Sequence, residues 1–400
     1  MPVNPQLLLA YDFPPIGGGI ARLMGELAKR YPPGTLVVST GRQAGSAEVD
    51  GSLPNTVDRL DVPSRRLRTL QGLLRWSHRA TKLARSVRPE FVWCGNLKPA
   101  GYPARWVRTR IGTPYGILLY GTDLLLLRHR ILHSTLKRTL ARSLIGSASV
   151  LVAISRWTRD EALSLLQDLG LSERNIDVRL LPLGTDPEHF RPEIDPASVR
   201  ARYSLPEGRW LLTVARLAGH KGIDTVLHVL AALRDEYPDL GYLVVGNGDR
   251  LNDLQRLARD LGVAGRVRFL TGVPDSDLPA LYKTAEIYMG LSRPAGLMVE
   301  GFGISLSEAS ASGIPVVAGS GGGIPDAVRD GETGLLVDAE GPAAATAAVR
   351  LLLGDRALAG RLGAGGRHAV ETYYNWQRVT TELAGIGHEL GTSPHQEVVK

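Results

Sequence analysis

Residues 297–325, LMVEGFGISLSEASASGIPVVAGSGGGIP, bring together several kinds of ligand-binding group. Glu300 and Glu308 flank a Gly-Phe-Gly turn, which is followed by a helix-like run, a short apolar strand and a glycine-rich loop. A helix that begins near Ile304 directs its free backbone amides and its positive end towards the turn. Carboxylates, open amides and backbone without side chains suit a polyhydroxylated, phosphorylated ligand. This stretch therefore predicts an α/β fold with a ligand site at residues 300–308.

The second half of the chain alternates short apolar runs with helical patterns, which is typical of a parallel sheet covered on both faces. Each polar or glycine-rich motif comes directly after one of the predicted strands. Because such sheets bind ligands at the carboxyl ends of their strands, we expect these motifs at one edge. The predicted strands cover residues 211–215, 242–245, 267–270, 287–289 and 316–318.

Two cations follow the first of these strands. Arg216 and Lys221 flank a tight loop that contains Gly219. A forked guanidinium and an ammonium can neutralise a diphosphate and stabilise it as a leaving group. Two surface cations are also what a solvated loop carries. Glu300 and Glu308 at the same predicted edge favour the ligand site.

The first half opens with a strand, a glycine-rich turn and a helix. Residues 6–10 (QLLLA) are predicted to form a buried strand, and Gly18 and Gly19 precede a helical pattern. This order is that of an α/β nucleotide-type unit, although the turn lacks the GxGxxG spacing of a dinucleotide site. The glycines either bring backbone close to a phosphate or sugar, or form a plain turn. Further strands are predicted at 35–39, 90–94, 115–119 and 150–154, with an irregular connection over 40–60.

The strand at 115–119 ends in a polar cluster, Tyr120-Gly121-Thr122-Asp123. Its place at the carboxyl end of a parallel strand makes Tyr120 and Asp123 candidates for ligand contact, and Asp123 could contact a hydroxyl. Asp123 could instead cap the segment that follows.

The charge of the chain is unevenly distributed. Residues 1–184 hold 26 Lys and Arg against 13 acids, whereas residues 185–400 hold 21 against 27. Residues 62–159 hold 19 cations and only two acids, Glu90 and Asp123. This asymmetry predicts an anionic partner for the first half.

A helical pattern over residues 64–87 interleaves leucines with cations that include Arg75, Arg79 and Lys82. It fits a basic amphipathic helix on an anionic membrane surface, or the solvated face of a helix docked on the core. A second basic helical segment covers residues 128–142. A nucleic-acid partner is not expected, because no DNA-binding signature or aromatic-rich sheet accompanies the cations.

Proline and glycine break the pattern near residues 181–195, which marks a domain boundary. The expected domains are a first domain over 1–185, a linker over 186–205, a second domain over 206–372, and a terminal helix and tail over 373–400. The single cysteine, Cys94, excludes an internal disulfide and is predicted to be a buried strand residue. Neither a secretion signal nor an apolar run of ~18–20 residues is visible. We therefore expect a cytoplasmic protein, soluble or peripheral on the inner face of the membrane.

Taken together, the motifs resemble those of retaining glycosyltransferases of the family-4 type. FPPIGGGIARLMGELA resembles the opening glycine loop, VARLAGHKG the phosphate loop, EGFGISLSE the paired-glutamate motif, and YYNWQRVTTELAGI the terminal helix. The resemblance spans nearly the whole chain. It implies the GT-B architecture, in which two Rossmann-like parallel-sheet domains face each other across a cleft and the terminal helix crosses back to the first domain. The first domain would bind the acceptor, with Tyr120 and Asp123 as candidates for contact with the acceptor or sugar, and the second domain would bind the nucleotide sugar.

The resemblance also implies residue roles. Glu300 would hold sugar hydroxyls near the reacting carbon, and Glu308 would accept hydrogen bonds from the nucleotide ribose. Arg216 and Lys221 would grip the diphosphate and, with Glu300, form the catalytic set. Val273 would lie near the nucleobase. The implied donor-binding residues are Gly18, Gly19, Arg216, Lys221, Val273, Glu300, Gly301, Phe302, Gly303, Ile304 and Glu308.

The chemistry implied is departure of the nucleoside diphosphate with retained anomeric configuration. No acid in the first domain is suitably placed for a two-step mechanism, so front-face attack by the acceptor is favoured. No metal or cofactor is expected, because Arg216 and Lys221 supply the countercharge. Many relatives carry a His where this chain has Tyr120, so Tyr120 or Asp123 is the candidate replacement.

Within the family, LMVEGFGI and AGSGGGIPDAV are most similar to phosphatidylinositol-mannoside mannosyltransferases and related hexosyltransferases. This similarity favours transfer of mannose from GDP-mannose to a lipid-linked or glycan acceptor. One alternative is a soluble glucosyltransferase that uses UDP- or ADP-glucose. An alternative of another class is a catalytically inactive protein that binds membranes or nucleic acid.

Overall fold

A computed structural model describes residues 4–172 and 176–392. They form two units, one of Met1–Leu181 with Trp376–Lys400 and the other of Pro182–Asn375. The part of the predicted tail beyond residue 392 lies outside the described residues. None of the described helices is long and apolar enough to cross a bilayer.

The first unit is built on a parallel sheet, which has seven strands within the described residues and the spatial order β3-β2-β1-β4-β5-β6-β7. Its central strands are buried along their whole length, which explains their continuous apolar sequences. The strands are β1 (Gln6–Leu9), β2 (Leu36–Arg42), β3 (Thr56–Pro63), β4 (Phe91–Cys94), β5 (Tyr115–Leu119), β6 (Val150–Ala153) and β7 (Asp177–Leu180).

Helices cover this sheet, and α3 packs an aromatic side chain against it. Trp76 is fully buried, and its indole N–H donates to Ser39 Oγ at 3.1 Å. Cys94 is buried as predicted. The helices are α1 (Gly19–Arg30), α2 (Ser46–Gly51), α3 (Leu70–Val87), α4 (Gly101–Ile111), α5 (Thr122–Leu132), α6 (Thr135–Ile145) and α7 (Arg156–Asp168).

The prediction of an irregular connection over residues 40–60 is wrong, because this stretch contains α2 and most of β3. Strand β3 pairs with β2 at the edge of the sheet, and Asp58, Arg59 and Asp61 make it polar. An edge strand is only half covered, so it lacks the apolar run by which buried strands are recognised.

Helix α3 lies within the predicted 64–87 stretch and packs one face on the core. Trp76, Ala80 and Ala84 are buried, whereas Leu70 and Leu74 near its beginning are exposed. Thr69 caps the helix by accepting from the Gly72 amide at 3.1 Å.

The second unit contains the other parallel sheet, with six strands among the described residues in the order β10-β9-β8-β11-β12-β13. Its strands are β8 (Arg209–Val214), β9 (Leu240–Val245), β10 (Val267–Leu270), β11 (Ile287–Gly290), β12 (Val316–Gly319) and β13 (Leu335–Val337). Its helices are α8 (Ala197–Arg202), α9 (Ile223–Leu233), α10 (Leu251–Asp260), α11 (Leu278–Lys283), α12 (Ile304–Ala311), α13 (Pro342–Gly354) and α14 (Arg356–Thr372).

The last helix, α15 (Trp376–Thr392), belongs to the first unit and packs on α1 and β4. The amide nitrogen of Gln6 donates to Ala384 O at 2.9 Å, which joins β1 to α15. Arg179 on β7 donates to both carboxylate oxygens of Glu389, at 2.6 and 2.7 Å. The chain thus returns to its first unit, as the motifs predicted.

Candidate active site

The site in the second unit lies at the carboxyl ends of β8 and β11, which pair directly in the sheet. The loop after β8 carries Lys221, and the loop after β11 carries Glu300. Lys221 Nζ donates to Glu300 Oε2 at 2.5 Å, and Ser292 Oγ donates to the same oxygen at 3.3 Å. The structure therefore brings together two predicted site residues 79 positions apart in the chain.

The Glu300 carboxylate is held in its charged form. Burial acts to raise its pKa, but the charge and hydrogen bond of Lys221 outweigh this, and the pKa lies below its ordinary value. The side chain keeps 21% of its surface exposed, so one edge remains open to a ligand. Because the Glu300–Lys221 pair carries both charges, it can present an anionic oxygen to sugar hydroxyls and an ammonium to a phosphate.

Glycines fix the loop that carries Lys221 and the turn that carries Glu300. Gly222 has a φ of +65°, and a Cβ there would lie 1.9 Å from Leu291 O. Gly322 has a φ of +60°, and a Cβ there would lie 2.5 Å from Glu300 O. The Gly323 amide donates to that same Glu300 oxygen at 2.9 Å. The glycine loop after β12 thus acts as a backbone support for Glu300.

Helix α12 begins at Ile304, as predicted, directly after the turn of residues 301–303. Its N-cap, Gly303, has a φ of +94° and offers no side chain to the first-turn amides. These amides and the positive end of the helix therefore face the turn without a side-chain cap. Phe302 is 1% exposed and anchors the turn, in which Gly301 and Gly303 carry no side chain.

Glu308 lies in α12 and is 2% exposed. The Tyr282 hydroxyl donates to its Oε2 at 2.6 Å. The Tyr282 ring stacks on Tyr288 with a centroid distance of 5.6 Å. Sequence reasoning missed Tyr282 and Ser292, because only the tertiary fold brings them to the two glutamates. The predicted contact of Glu308 with a ribose stays a prediction.

Arg216 and Val273 lie at the same carboxyl edge of the sheet. Arg216 is exposed, and its side chain makes no hydrogen bond or ion pair with the residues that the structure describes. Val273 is half-buried in the loop after β10, next to Gly272, whose amide donates to Asn247 Oδ1 at 3.2 Å. The guanidinium of Arg216 is therefore available to an anion.

A second polar cluster lies in the first unit at the carboxyl ends of β4 and β5. The Tyr120 hydroxyl donates to Gly95 O at 2.6 Å, and the Tyr120 amide donates to Asp123 Oδ1 at 3.2 Å. Burial raises the pKa of Asp123 to about 6, although backbone N–H groups, first that of Tyr120, oppose the shift. The other carboxylate oxygen, Asp123 Oδ2, is buried and has no partner among the described residues.

Asp12 and Asn96 extend this cluster, and sequence reasoning missed both. Asn96 Nδ2 donates to Asp12 Oδ2 at 3.2 Å, while Asn96 Oδ1 is buried without a partner in the described chain. Burial raises the pKa of Asp12, and the charge of Arg68 partly opposes it. Asp12 also lines a pocket of about 680 Å³ with Tyr11, Arg42 and Arg65. Unpaired acceptors of this kind suit a polyhydroxylated ligand.

Gly18 and Gly19 begin α1 in the first unit. Gly18 is the N-cap, with a φ of 117°, and a Cβ there would meet nothing within 4 Å. The glycine is therefore required by its backbone conformation and not by crowding. Among the described residues, no three His, Cys, Asp or Glu side chains come together as a metal site.

The chain is similar in sequence and in fold to known transferases. A model described as glycosyl transferases group 1 matches residues 199–369, and one described as a glycosyl transferase 4-like domain matches residues 18–167. The chain is 34% identical to the GDP-mannose-dependent alpha-(1-6)-phosphatidylinositol monomannoside mannosyltransferase of Mycolicibacterium smegmatis, over 95% of this chain and 97% of that one.

Two solved structures share the fold. A glycosyltransferase from Rickettsia africae matches with a TM-score of 0.77 at 17% identity, over 98% of this chain and 100% of that chain. Sucrose-phosphate synthase from Thermosynechococcus elongatus matches with a TM-score of 0.74 at 21% identity, over 97% and 99%. Two Rossmann-like parallel-sheet units are thus the GT-B fold that the motifs predicted.

Fold and sequence together define a glycosyltransferase. The chain belongs to the group 1 glycosyltransferase family and is a hexosyltransferase. The family and the enzyme class predicted from the motifs are confirmed.

Proposed function

We propose that this hexosyltransferase moves mannose from GDP-mannose to a hydroxyl of a lipid-linked or glycan acceptor, with retention of the anomeric configuration. The observation that carries the proposal is the Lys221–Glu300 pair, which lies at the open N-terminus of α12. The choice of donor rests on the mycolicibacterial relative, whose name specifies GDP-mannose and a phosphatidylinositol monomannoside.

The donor would be held by opposite charges around the bond that breaks. Lys221 and Arg216 neutralise the diphosphate as the bond from the anomeric carbon to the phosphate oxygen lengthens. Glu300 accepts hydrogen bonds from sugar hydroxyls, and the amides of Gly303 and Ile304 donate to the sugar or phosphate. The acceptor oxygen attacks from the face that the diphosphate leaves, and its proton passes to the departing phosphate oxygen.

Charge on the leaving group is neutralised by side chains, so we propose that the reaction needs no metal ion. Turnover of GDP-mannose should be unchanged by a chelator and should change less than about twofold when Mg²⁺ or Mn²⁺ is added. A loss of turnover on chelation that an added metal restores would overturn this part of the proposal.

The decisive experiment measures release of the nucleoside diphosphate from a panel of GDP-mannose, UDP-glucose and ADP-glucose. We expect GDP-mannose to be turned over fastest, especially with phosphatidylinositol-mannoside acceptors. Nuclear magnetic resonance of the product should show the donor's anomeric configuration. Preference for UDP- or ADP-glucose would support the glucosyltransferase alternative, and no turnover of any donor would support an inactive binding protein.

The positive charge of the first unit supports contact with a membrane. Its stretch of 19 cations and two acids over residues 62–159 suits an anionic surface on which a lipid-linked acceptor resides. A peripheral protein at such a surface meets its acceptor without leaving the membrane plane.

A further inference from the structure

Helices α5 and α6 carry an exposed apolar surface, which we call the leucine ridge: Leu126, Leu132, Leu136 and Leu140. Leu132 and Leu136 are 71% and 69% exposed, and Leu140 is 49% exposed. Leu136 and Leu140 lie four positions apart on α6, which is the spacing of neighbours along one helical stripe, and Leu132 is the last residue of α5. The ridge holds half of the exposed large apolar side chains among the described residues.

The ridge is additional to the faces that these helices use for folding. Helix α5 buries Leu124, Leu127 and Ile131, and α6 buries Ala141, Leu144 and Ile145. The core of the unit is therefore complete without the ridge. A second, clustered apolar face on a folded unit indicates contact with another apolar phase.

Cations surround the ridge, and they are not neutralised locally. Arg130, Lys137 and Arg138 are exposed, and none forms an ion pair with the part of the chain that the structure describes. No Asp or Glu occurs in residues 124–159. Arg128 on α5, by contrast, is already paired with Glu161 and Asp168.

A fourth cation, the half-buried Lys98, lies close to two of these. Burial lowers its pKa, and the charges of Arg130 and Lys137 lower it further. Lys98, Arg130 and Lys137 therefore form a positive cluster beside the ridge. Like charges that gather without a carboxylate are expected where an anion is bound.

We propose that the leucine ridge inserts into an anionic phospholipid bilayer, while Lys98, Arg130, Lys137 and Arg138 contact lipid phosphates. A membrane interface has a layer of acyl chains below a layer of phosphates. The apolar side chains match the acyl chains, and the uncompensated cations that flank them match the phosphates. A second copy of this chain would bring like charges together, and a nucleic acid would leave the leucines in water. The proposed docking surface is the α5–α6 pair. Helix α3, whose Leu70 and Leu74 are also exposed, is the alternative that the test separates from it.

This docking surface rests on the proposed function, in which the acceptor is linked to a lipid. Its test measures membrane binding and not sugar transfer, so the docking surface and the proposed function can fail separately. The test is cosedimentation of the full chain with phosphatidylcholine vesicles, with and without phosphatidylglycerol. We expect binding only to the anionic vesicles, with weakening as salt rises. Leu132→Ser/Leu136→Ser should lower binding about tenfold or more, and Lys137→Glu/Arg138→Glu should lower it at least ~25-fold.

Matched controls come from the second unit. Leu351→Ser removes a leucine that is 49% exposed, as Leu140 is, and Arg356→Glu/Arg361→Glu reverses two exposed arginines. Both should bind like the unchanged chain. Arg75→Glu/Lys82→Glu places the same charge change on α3. If only the α3 variant loses binding, or if the controls lose as much as the ridge variants, the assignment to α5–α6 is wrong.

Insertion itself can be read out directly because Cys94 is buried and does not compete for a thiol label. Leu136→Cys carrying an environment-sensitive fluorophore should shift to the blue on anionic vesicles, while Leu351→Cys should not. Circular dichroism establishes that each variant is folded. Binding without a shift at position 136 would mean a purely electrostatic contact and would overturn insertion of the ridge.

Discussion

The ammonium of Lys221 lies 2.5 Å from Oε2 of Glu300, and each group comes from a loop after one of two paired strands. The pair is only partly exposed, so each charge depends on the other for compensation. Arg216, from the same loop as Lys221, has an exposed side chain with no such partner within the described residues. This difference between neighbouring cations makes their effects separable by mutation.

Replacing Glu300 should stop transfer while leaving the fold intact. In Glu300→Gln and Glu300→Ala, donor turnover should fall by about 10²-fold or more, because the proposed role of this carboxylate is to contact the reacting sugar. The measurement is initial-rate release of GDP from GDP-mannose. Glu207→Gln, which changes an exposed acid of the same unit, is the control and should keep full activity. Undiminished turnover in Glu300→Ala would disprove the catalytic assignment.

Lys221→Ala and Arg216→Ala should differ in stability although both lower turnover. Lys221→Ala leaves the Glu300 carboxylate partly buried and unpaired, so we expect a loss of about 1–3 kcal/mol in the free energy of unfolding. Arg216→Ala removes an exposed side chain and should change stability by less than about 0.5 kcal/mol. Urea unfolding at neutral pH measures both. Equal stabilities would show that the ion pair contributes nothing to the fold.

The Lys221–Glu300 pair should also make the free energy of unfolding depend on pH in the acid range. Because the pKa of Glu300 in the folded state lies below its ordinary value of 4.5, the unfolded chain takes up this proton first as pH falls. The stabilisation is therefore complete above about pH 5 and is lost as pH falls through the lowered pKa. Glu300→Gln should lose less stability than the unchanged chain between about pH 5 and pH 3. An equal loss of unfolding free energy in the two chains as the pH falls, measured by urea unfolding, would contradict this.

Gly222 should tolerate no side chain, whereas Gly219 in the same loop should tolerate one. A Cβ on Gly222 would lie 1.9 Å from Leu291 O at a φ of +65°, while a Cβ on Gly219 would meet nothing within 4 Å. Gly222→Ala should cost about 2–4 kcal/mol of unfolding free energy. Gly219→Ala should stay within about 0.5 kcal/mol. Similar denaturation midpoints for the two variants would refute the packing argument.

Asp123 should destabilise the first unit as it ionises. Its pKa is raised from 3.8 to about 6, so the folded state holds this proton more tightly than the unfolded state does. Stability attributable to Asp123 should therefore fall as pH rises from about 4 to about 6 and then level off. Asp123→Asn should remove that decline and gain about 1–3 kcal/mol at about pH 7.5 relative to the unchanged chain.

The control for this prediction is Asp160→Asn, which alters an exposed acid of the same unit. Its unfolding free energy should follow that of the unchanged chain at every pH. If the unfolding free energy of Asp123→Asn also follows that of the unchanged chain, the charged Asp123 carboxylate is compensated by a partner and the prediction is wrong.

The strands that sequence alone revealed are those buried on both faces. Residues of β1, β4, β5 and β6 form continuous apolar runs, because helices cover both sides of a central strand. Strands β3, β7 and β13 were missed, and all three lie at sheet edges. The half-covered positions of β3 and β7 allow polar residues, so no apolar run identifies them, while β13 is apolar but only three residues long.

The functional site, like the fold, could be predicted only in part. Spacing after strands predicted that Lys221 and Glu300 share one sheet edge, because parallel topology alone determines that proximity. It did not predict Ser292 and Tyr282, whose hydrogen bonds depend on side-chain directions that only packing sets. Nor did it show that Glu308 is enclosed, since burial of a helical carboxylate depends on what packs over it.

The return of α15 to the first unit has a consequence for synthesis on the ribosome. Gln6 on β1 bonds to Ala384, 378 positions later, so the first unit to be translated is the last to be completed. Until α15 emerges, the face of α1 and β4 that it covers stays open to chaperones and to aggregation. Truncation before Trp376 should therefore damage the N-terminal unit, and nascent chains should need protection throughout translation of the second unit.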